Sequence, residues 1–130
     1  MRLAAMTCCG LLIGCAPLIE APDGHRMRAT SSEFRDYVAA VFRRHNRATV
    51  AIYDAIEAIP DEASPLIATL DRADARMMDI CEPLDQLAIA RRDGDDLGFA
   101  RMKAAAATVP ACDEATSKAE ILLEQLLRAR

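Results

Sequence analysis

The sequence has 130 residues, with 16 Lys and Arg, 20 Asp and Glu, and a formal net charge of −4 at pH 7. This length fits one small domain, and the acidic balance argues against a nucleic-acid partner. Hydrophobic residues make up 52% of the chain but aromatic residues only 4%, which excludes an aromatic-lined ligand pocket of the usual kind.

The N-terminus begins with a basic residue, Arg2, followed by an apolar run from Leu3 to Gly14 and then by Cys15. This order is typical of an export signal, and the run is shorter than the roughly 20 apolar residues that a membrane-spanning helix needs. The last three residues of the run and the Cys after it, Leu-Ile-Gly-Cys at 12–15, resemble the lipobox of bacterial lipoproteins. In that motif an aliphatic residue, a small or aliphatic residue and Gly, Ala or Ser precede an invariant Cys.

The resemblance implies that Cys15 becomes acylated and that residues 1–14 are removed as a signal peptide. Two or more acyl chains hold a protein durably at a membrane, so membrane lipid is the first expected partner. Ala16, where the enteric sorting rule would place Asp to retain a protein in the inner membrane, favours the outer membrane. We therefore expect a protein of the bacterial cell envelope that faces the periplasm. The alternative is a secretory peptide or a membrane anchor with a coincidental Cys.

Cys8 and Cys9 would leave with the signal peptide, and Cys15 would carry lipid. Cys81 and Cys112 then remain in an oxidising compartment, where one intramolecular pairing exists. The sequence therefore predicts a disulfide. Closing a loop of this length contributes roughly 3.5 kcal/mol in the chain-entropy treatment.

Residues 15–29 contain Pro, Gly and charges without periodicity, which predicts a flexible tether after the lipidated Cys. Thr30 to Glu33 match a capping box, so a first helix should begin there. Apolar side chains then recur at helical steps of three and four. The predicted stripe consists of Phe34, Val38, Val41, His45, Ala48, Ile52, Ala55 and Ile59.

A second helix should begin at the Ser64–Pro65 pair and end near Arg92. Gly94 and the acids after it would end that helix and cap a third segment, which meets Pro110. We expect either a long kinked third helix or two helices broken near residues 108–110, and no strands. The predicted apolar stripe of the second helix consists of Leu66, Leu70, Ala73, Met77, Ile80, Leu84 and Leu87.

Short links between helices predict an all-α, antiparallel three- or four-helix bundle over residues 30–130, with one inter-helix disulfide. Reflection about the second turn places Cys81 opposite position 109, about one turn from Cys112. A kink or break at Pro110 would close that gap.

The most polar stretch of the first helix contains Arg43, Arg44, His45 and Arg47. Reflection about the first turn brings this belt beside residues 77–81, near Asp79 and Glu82. One interpretation is an interhelical charge network with His45 as a hydrogen-bonded core residue. The other is a basic docking face for an acidic partner or an envelope glycan.

No catalytic constellation is predicted, because the hydroxyl residues lie mostly at helix caps and the acids lie on solvent faces. No metal site or cofactor is expected either, since the disulfide uses both remaining cysteines. Met77 and Met78 lie near His45 in this arrangement, but methionines at helical spacing are expected to be core residues. The remaining hypothesis is a structural or protein-interaction lipoprotein that binds another envelope protein. The alternative is a periplasmic carrier of a small ligand, metal or haem.

Helix-in-groove binding is the expected mode, with Tyr53, Ile89 and Leu123 as exposed anchors. In architecture alone, such a bundle resembles the pilotins, small helical lipoproteins that chaperone secretion channels.

Overall fold

The computed structural model describes residues 16–59 and 65–129. Two short strands come first, β1 (Leu18–Glu20) and β2 (Arg26–Arg28), followed by three helices, α1 (Ser32–Glu57), α2 (Pro65–Asp93) and α3 (Gly98–Arg128). The predicted signal peptide, the lipidation site Cys15 and the cap Ser64 lie outside the described residues. The expected helix-dominated fold is confirmed as a bundle of three helices.

Helix α1 begins one residue later than the capping box indicated. Ser31 is the N-cap, and its Oγ accepts a hydrogen bond of 3.0 Å from the backbone N–H of Phe34. The carboxylate of Glu33 lies 2.7 Å from Nε2 of His25 instead of closing the box. The predicted stripe is correct, because six of its members are buried: Phe34, Val41, His45, Ala48, Ile52 and Ala55.

Helix α2 begins at Pro65, as predicted, and its buried residues follow a wider arc than one stripe. Leu70, Met77 and Leu84 are buried as expected, whereas Ile67 and Cys81 lie in the core one position away from the predicted Leu66 and Ile80. The reason is that α2 packs against both other helices, most extensively against α3. Gly94 follows the helix with a φ of +76°, a conformation that favours glycine.

Helix α3 runs unbroken through Pro110, which agrees with the first of the two alternatives, one long third helix, and not with two helices broken near residues 108–110. The disulfide is formed: the Cα atoms of Cys81 and Cys112 lie 4.9 Å apart. The register between α2 and α3 therefore differs by about one turn from the simple reflection, and no break is needed.

Residues 18–28 form an antiparallel hairpin in which Ile19 pairs with Met27. The prediction of a flexible tether without strands was therefore wrong for this segment. Met27 is only 4% exposed and belongs to the core together with Ala21. Pro22, Asp23 and Gly24 supply the turn. The hairpin thus forms part of the folded domain.

The core lies between the three helices and is closed at one side by the hairpin. Helix α1 packs more on α3 than on α2, and this leaves a shallow seam between α1 and α2. Among the described residues, no helix combines the length and hydropathy that a membrane span needs.

Candidate functional site

The predicted basic belt does not form one face. His45 is 1% exposed and lies in the core, whereas Arg43 and Arg47 are exposed. Arg44 is half-buried and faces α3. The structure therefore places these four side chains in three different environments.

Arg44 makes its ion pairs with α3, so the predicted network with Asp79 and Glu82 of α2 was wrong. Its Nη1 donates to Oδ1 of Asp113 over 2.9 Å, and its Nε donates to Oε2 of Glu120 over 2.8 Å. The hydrogen bond to Glu120 is the main cause that raises the pKa of Arg44 above its ordinary value. Helical periodicity gave the correct face of α1 but not which helix lies opposite it.

Tyr37 extends this network by one turn. Its hydroxyl donates to Oδ2 of Asp113 over 3.0 Å. Burial, and then this hydrogen bond to a carboxylate, raise the pKa of Tyr37 well above its ordinary value. The network of Tyr37, Arg44, Asp113 and Glu120 holds α1 in register on α3.

His45 is a polar residue of the core, and its hydrogen bonding within the described residues is incomplete. Its Nε2 lies 3.5 Å from Oδ2 of Asp85, and its Nδ1 has no hydrogen-bond partner among the described residues. One ring nitrogen and the sulfur atoms of Cys81 and Cys112 all lie within 4.8 Å of one another. His45 is therefore buried as expected, but within the described part of the chain its Nδ1 lacks the hydrogen bond expected of a core histidine, and the ring lies near the disulfide.

Asp74 of α2 is a second buried polar residue near this cluster. Its Oδ1 has no hydrogen-bond partner within the described ranges, 16–59 and 65–129. Burial, and then the negative charge of Asp71, raise the pKa of Asp74 above its ordinary value, while the positive charge available on His45 opposes the shift.

An exposed concave surface follows the seam between α1 and α2, and we name it the α1–α2 groove. Seven apolar residues line it, three from α1 and four from α2: Val38, Ala39, Phe42, Leu84, Leu87, Ala88 and Ile89. The carboxylate of Asp85 lines it at one end. Arg35 and Arg91 stand at its rim, and Arg92 lies at one end. Within the described part of the chain, neither Arg35 nor Arg91 takes part in an ion pair.

The three predicted anchors fall in different places. Ile89 is 50% exposed and lines the groove, while Tyr53 is 57% exposed on α1. Leu123 is only 8% exposed, so its prediction as an exposed anchor was wrong. It was wrong because α3 turns this residue towards the other helices. The sequence analysis did not identify Arg35 and Arg91 as groove residues. The only pattern that marks them is that each is a basic residue beside the apolar stripe of its helix.

The arrangement favours binding over covalent chemistry. The groove combines an apolar floor with three arginines and the single carboxylate of Asp85. This excess of positive charge suits an amphipathic partner of opposite charge. No protein-family model, no curated protein and no solved structure matches this chain.

Proposed function

We propose that this chain is a lipid-anchored bundle of the bacterial cell envelope that binds an acidic amphipathic helix of another envelope protein. The observation that carries the proposal is the α1–α2 groove, an apolar floor with two arginines at its rim on a chain whose net charge is −4. A basic site on an acidic protein favours a locally acidic partner by charge complementarity.

The apolar floor indicates what shape the partner has. Ile89 and Phe42 line one end of the groove, and Val38 and Leu87 line the next section. A helix binds in such a groove by inserting apolar residues spaced three and four apart. Arg35 and Arg91 would then pair with carboxylates beside the apolar face of that helix.

We infer further that successive helices run antiparallel. Thr49 Oγ1 lies 3.7 Å from Sδ of Met78, and His45 lies near Asp85, so numbers rise along α2 as they fall along α1. Tyr37 and Arg44 contact Asp113 and Glu120, respectively, which is consistent with α1 and α3 running in the same direction.

The lipid anchor remains a proposal that rests on the lipobox. Only Ala16 and Pro17 separate Cys15 from β1 in the chain. Because the hairpin packs on the core, an acyl group on Cys15 would hold the folded domain close to the bilayer. The expected partner is therefore a membrane protein or a protein that assembles at the membrane surface.

Site-specific photocrosslinking in the native envelope tests the docking site. A crosslinker at position 89, in the groove, should capture one defined partner, and Arg35→Glu with Arg91→Glu should abolish that product. A crosslinker at position 50 is the matched control, because Val50 is 60% exposed on α1 but does not line the groove.

Charge reversal at the exposed belt residues separates the two candidate faces. Arg43→Glu with Arg47→Glu should leave the position-89 crosslink unchanged. If these changes abolish the crosslink while Arg35→Glu with Arg91→Glu preserves it, docking occurs on the belt and the groove assignment is wrong.

A further inference from the structure

Three side chains that chemically suit a metal ion meet at the centre of the bundle, one from each helix. His45 comes from α1, Cys81 from α2 and Cys112 from α3, and all three are buried. One ring nitrogen and both sulfur atoms lie within 4.8 Å of one another. The disulfide fixes two members of this cluster, but it does not account for a buried histidine beside them.

We propose that reduction of the Cys81–Cys112 disulfide converts this cluster into a site for Zn²⁺ or a similar borderline-soft divalent cation. Two thiolates and an imidazole are a ligand set that such ions prefer. The disulfide and the metal would thus be alternative cross-links, and the redox state of the two sulfurs would decide which is present.

The distances are compatible with this conversion. Metal–sulfur bonds of about 2.3 Å and metal–nitrogen bonds of about 2.0 Å place tetrahedral ligands about 3.5 to 3.8 Å apart. The three ligand atoms already lie within 4.8 Å, and the Cα atoms of the two cysteines lie 4.9 Å apart. Side-chain rotations are then enough to close the site, without separating the helices.

His45 also has a ring nitrogen that is free to bind a metal ion. The carboxylate of Asp85, 3.5 Å from Nε2, favours the ring proton on that nitrogen and leaves the lone pair on Nδ1. Nδ1 is buried and lacks a hydrogen-bond partner among the residues that the structure describes. A carboxylate behind a ligating histidine is the usual arrangement in protein metal sites.

A dithiol reductant supplies two electrons and two protons and becomes a disulfide, while the Cys81–Cys112 sulfur–sulfur bond breaks and two thiols form. The cation then displaces a proton from each thiol to solvent and binds the two thiolates and the neutral imidazole. A water molecule takes the fourth position. In the reverse step another disulfide oxidises the two thiolates, is itself reduced to two thiols with two protons from solvent, and the ion is released.

Cobalt titration of the full chain tests the proposal, because Co²⁺ occupies Zn²⁺ sites and absorbs light when thiolates bind it. Cys8, Cys9 and Cys15 are replaced by Ala, so that Cys81 and Cys112 supply the only thiols. The protein is reduced with a phosphine, desalted without oxygen and titrated. We expect one Co²⁺ per chain with thiolate-to-cobalt absorption, displacement by Zn²⁺, and no such absorption from the oxidised protein. Absence of the absorption from the reduced protein, or equal cation binding by the oxidised protein, would overturn the proposal.

The histidine is tested separately. His45→Gln should weaken Co²⁺ binding to the reduced protein at least about tenfold, whereas Asn46→Ala, a change at the exposed neighbour, should not. Unchanged affinity in the His45→Gln variant would show that His45 is not a ligand.

Circular dichroism addresses the case in which reduction or His45→Gln unfolds the domain. For the reduced wild type, Zn²⁺ should raise the midpoint of thermal unfolding or restore helical signal, since the ion binds a folded site. Metal binding without any gain in helix or thermal midpoint would mean that loose thiols bind the ion, and it would contradict the proposal.

Discussion

The guanidinium of Arg44 on α1 binds two carboxylates of α3, with Nη1 2.9 Å from Oδ1 of Asp113 and Nε 2.8 Å from Oε2 of Glu120. This bridge lies on the side of α1 that has the more extensive contacts, whereas the contacts of α1 with α2 are fewer. The bridge holds α1 on α3, while the side of α1 that faces α2 is only partly covered. The same residue that suggests a basic docking face in the sequence therefore acts inside the bundle.

Arg44→Met should lower the free energy of unfolding by about 1 kcal/mol, because Arg44 is only half-buried and solvent screens its ion pairs. Arg43→Met, at the exposed neighbouring position, should change it by less than about 0.5 kcal/mol. Urea unfolding of both variants measures the difference. Equal effects would mean that the bridge contributes nothing to stability.

Met27→Ala should destabilise the domain by about 2 to 3 kcal/mol, because it removes a side chain that is only 4% exposed. The matched control is Leu18→Ala on the neighbouring strand, whose side chain is exposed. Thermal or urea unfolding checks both. If Met27→Ala leaves stability unchanged, residues 18–28 behave as a tether and the hairpin is not part of the folded unit.

Asp74→Asn should stabilise the protein at pH 7. Burial raises the folded-state pKa of Asp74 above its ordinary 3.8, so the folded state favours the protonated carboxyl. The free energy that this group contributes to stability is therefore present below pH 3.8 and is lost as the pH rises through the raised folded-state pKa. The amide of Asn does not ionise, so Asp74→Asn does not lose this stability at pH 7. The difference in stability between the variant and the wild type should therefore decrease as the pH falls.

Urea unfolding at pH 7 and near pH 3.5 measures this pH dependence, with the exposed Asp79→Asn as control. A constant difference between wild type and Asp74→Asn at the two pH values would show that ionisation of Asp74 does not affect stability.

The α1 stripe was predictable because one side of that helix is buried at regular steps of three and four from Phe34 to Ala55. The α2 stripe was displaced at several positions because this helix has two neighbours, so Ile67 and Cys81 are buried beside the predicted row. Periodicity identifies the apolar face of a helix. It predicts the individual buried positions less accurately when the helix packs against two neighbours.

Other features depend on tertiary contacts that no local pattern encodes. The strands of the hairpin contain only three residues each, too few for alternation to be recognised. Pro110 signals an interruption of α3, yet the helix continues through it, with the disulfide at Cys112 in the following turn. The meeting of His45 with the two cysteines required the register of all three helices, which reflection about the turns misplaced by about one helical turn.

Metabolic labelling with a fatty acid, combined with membrane fractionation, tests the central claim that this is a lipid-anchored envelope protein. We expect the wild type to be labelled and recovered with membranes, and Cys15→Ala to be unlabelled and absent from the membrane fraction. Cys8→Ala with Cys9→Ala should remain labelled. Labelling of Cys15→Ala, or an unlabelled wild type in the cytoplasm, would contradict the account.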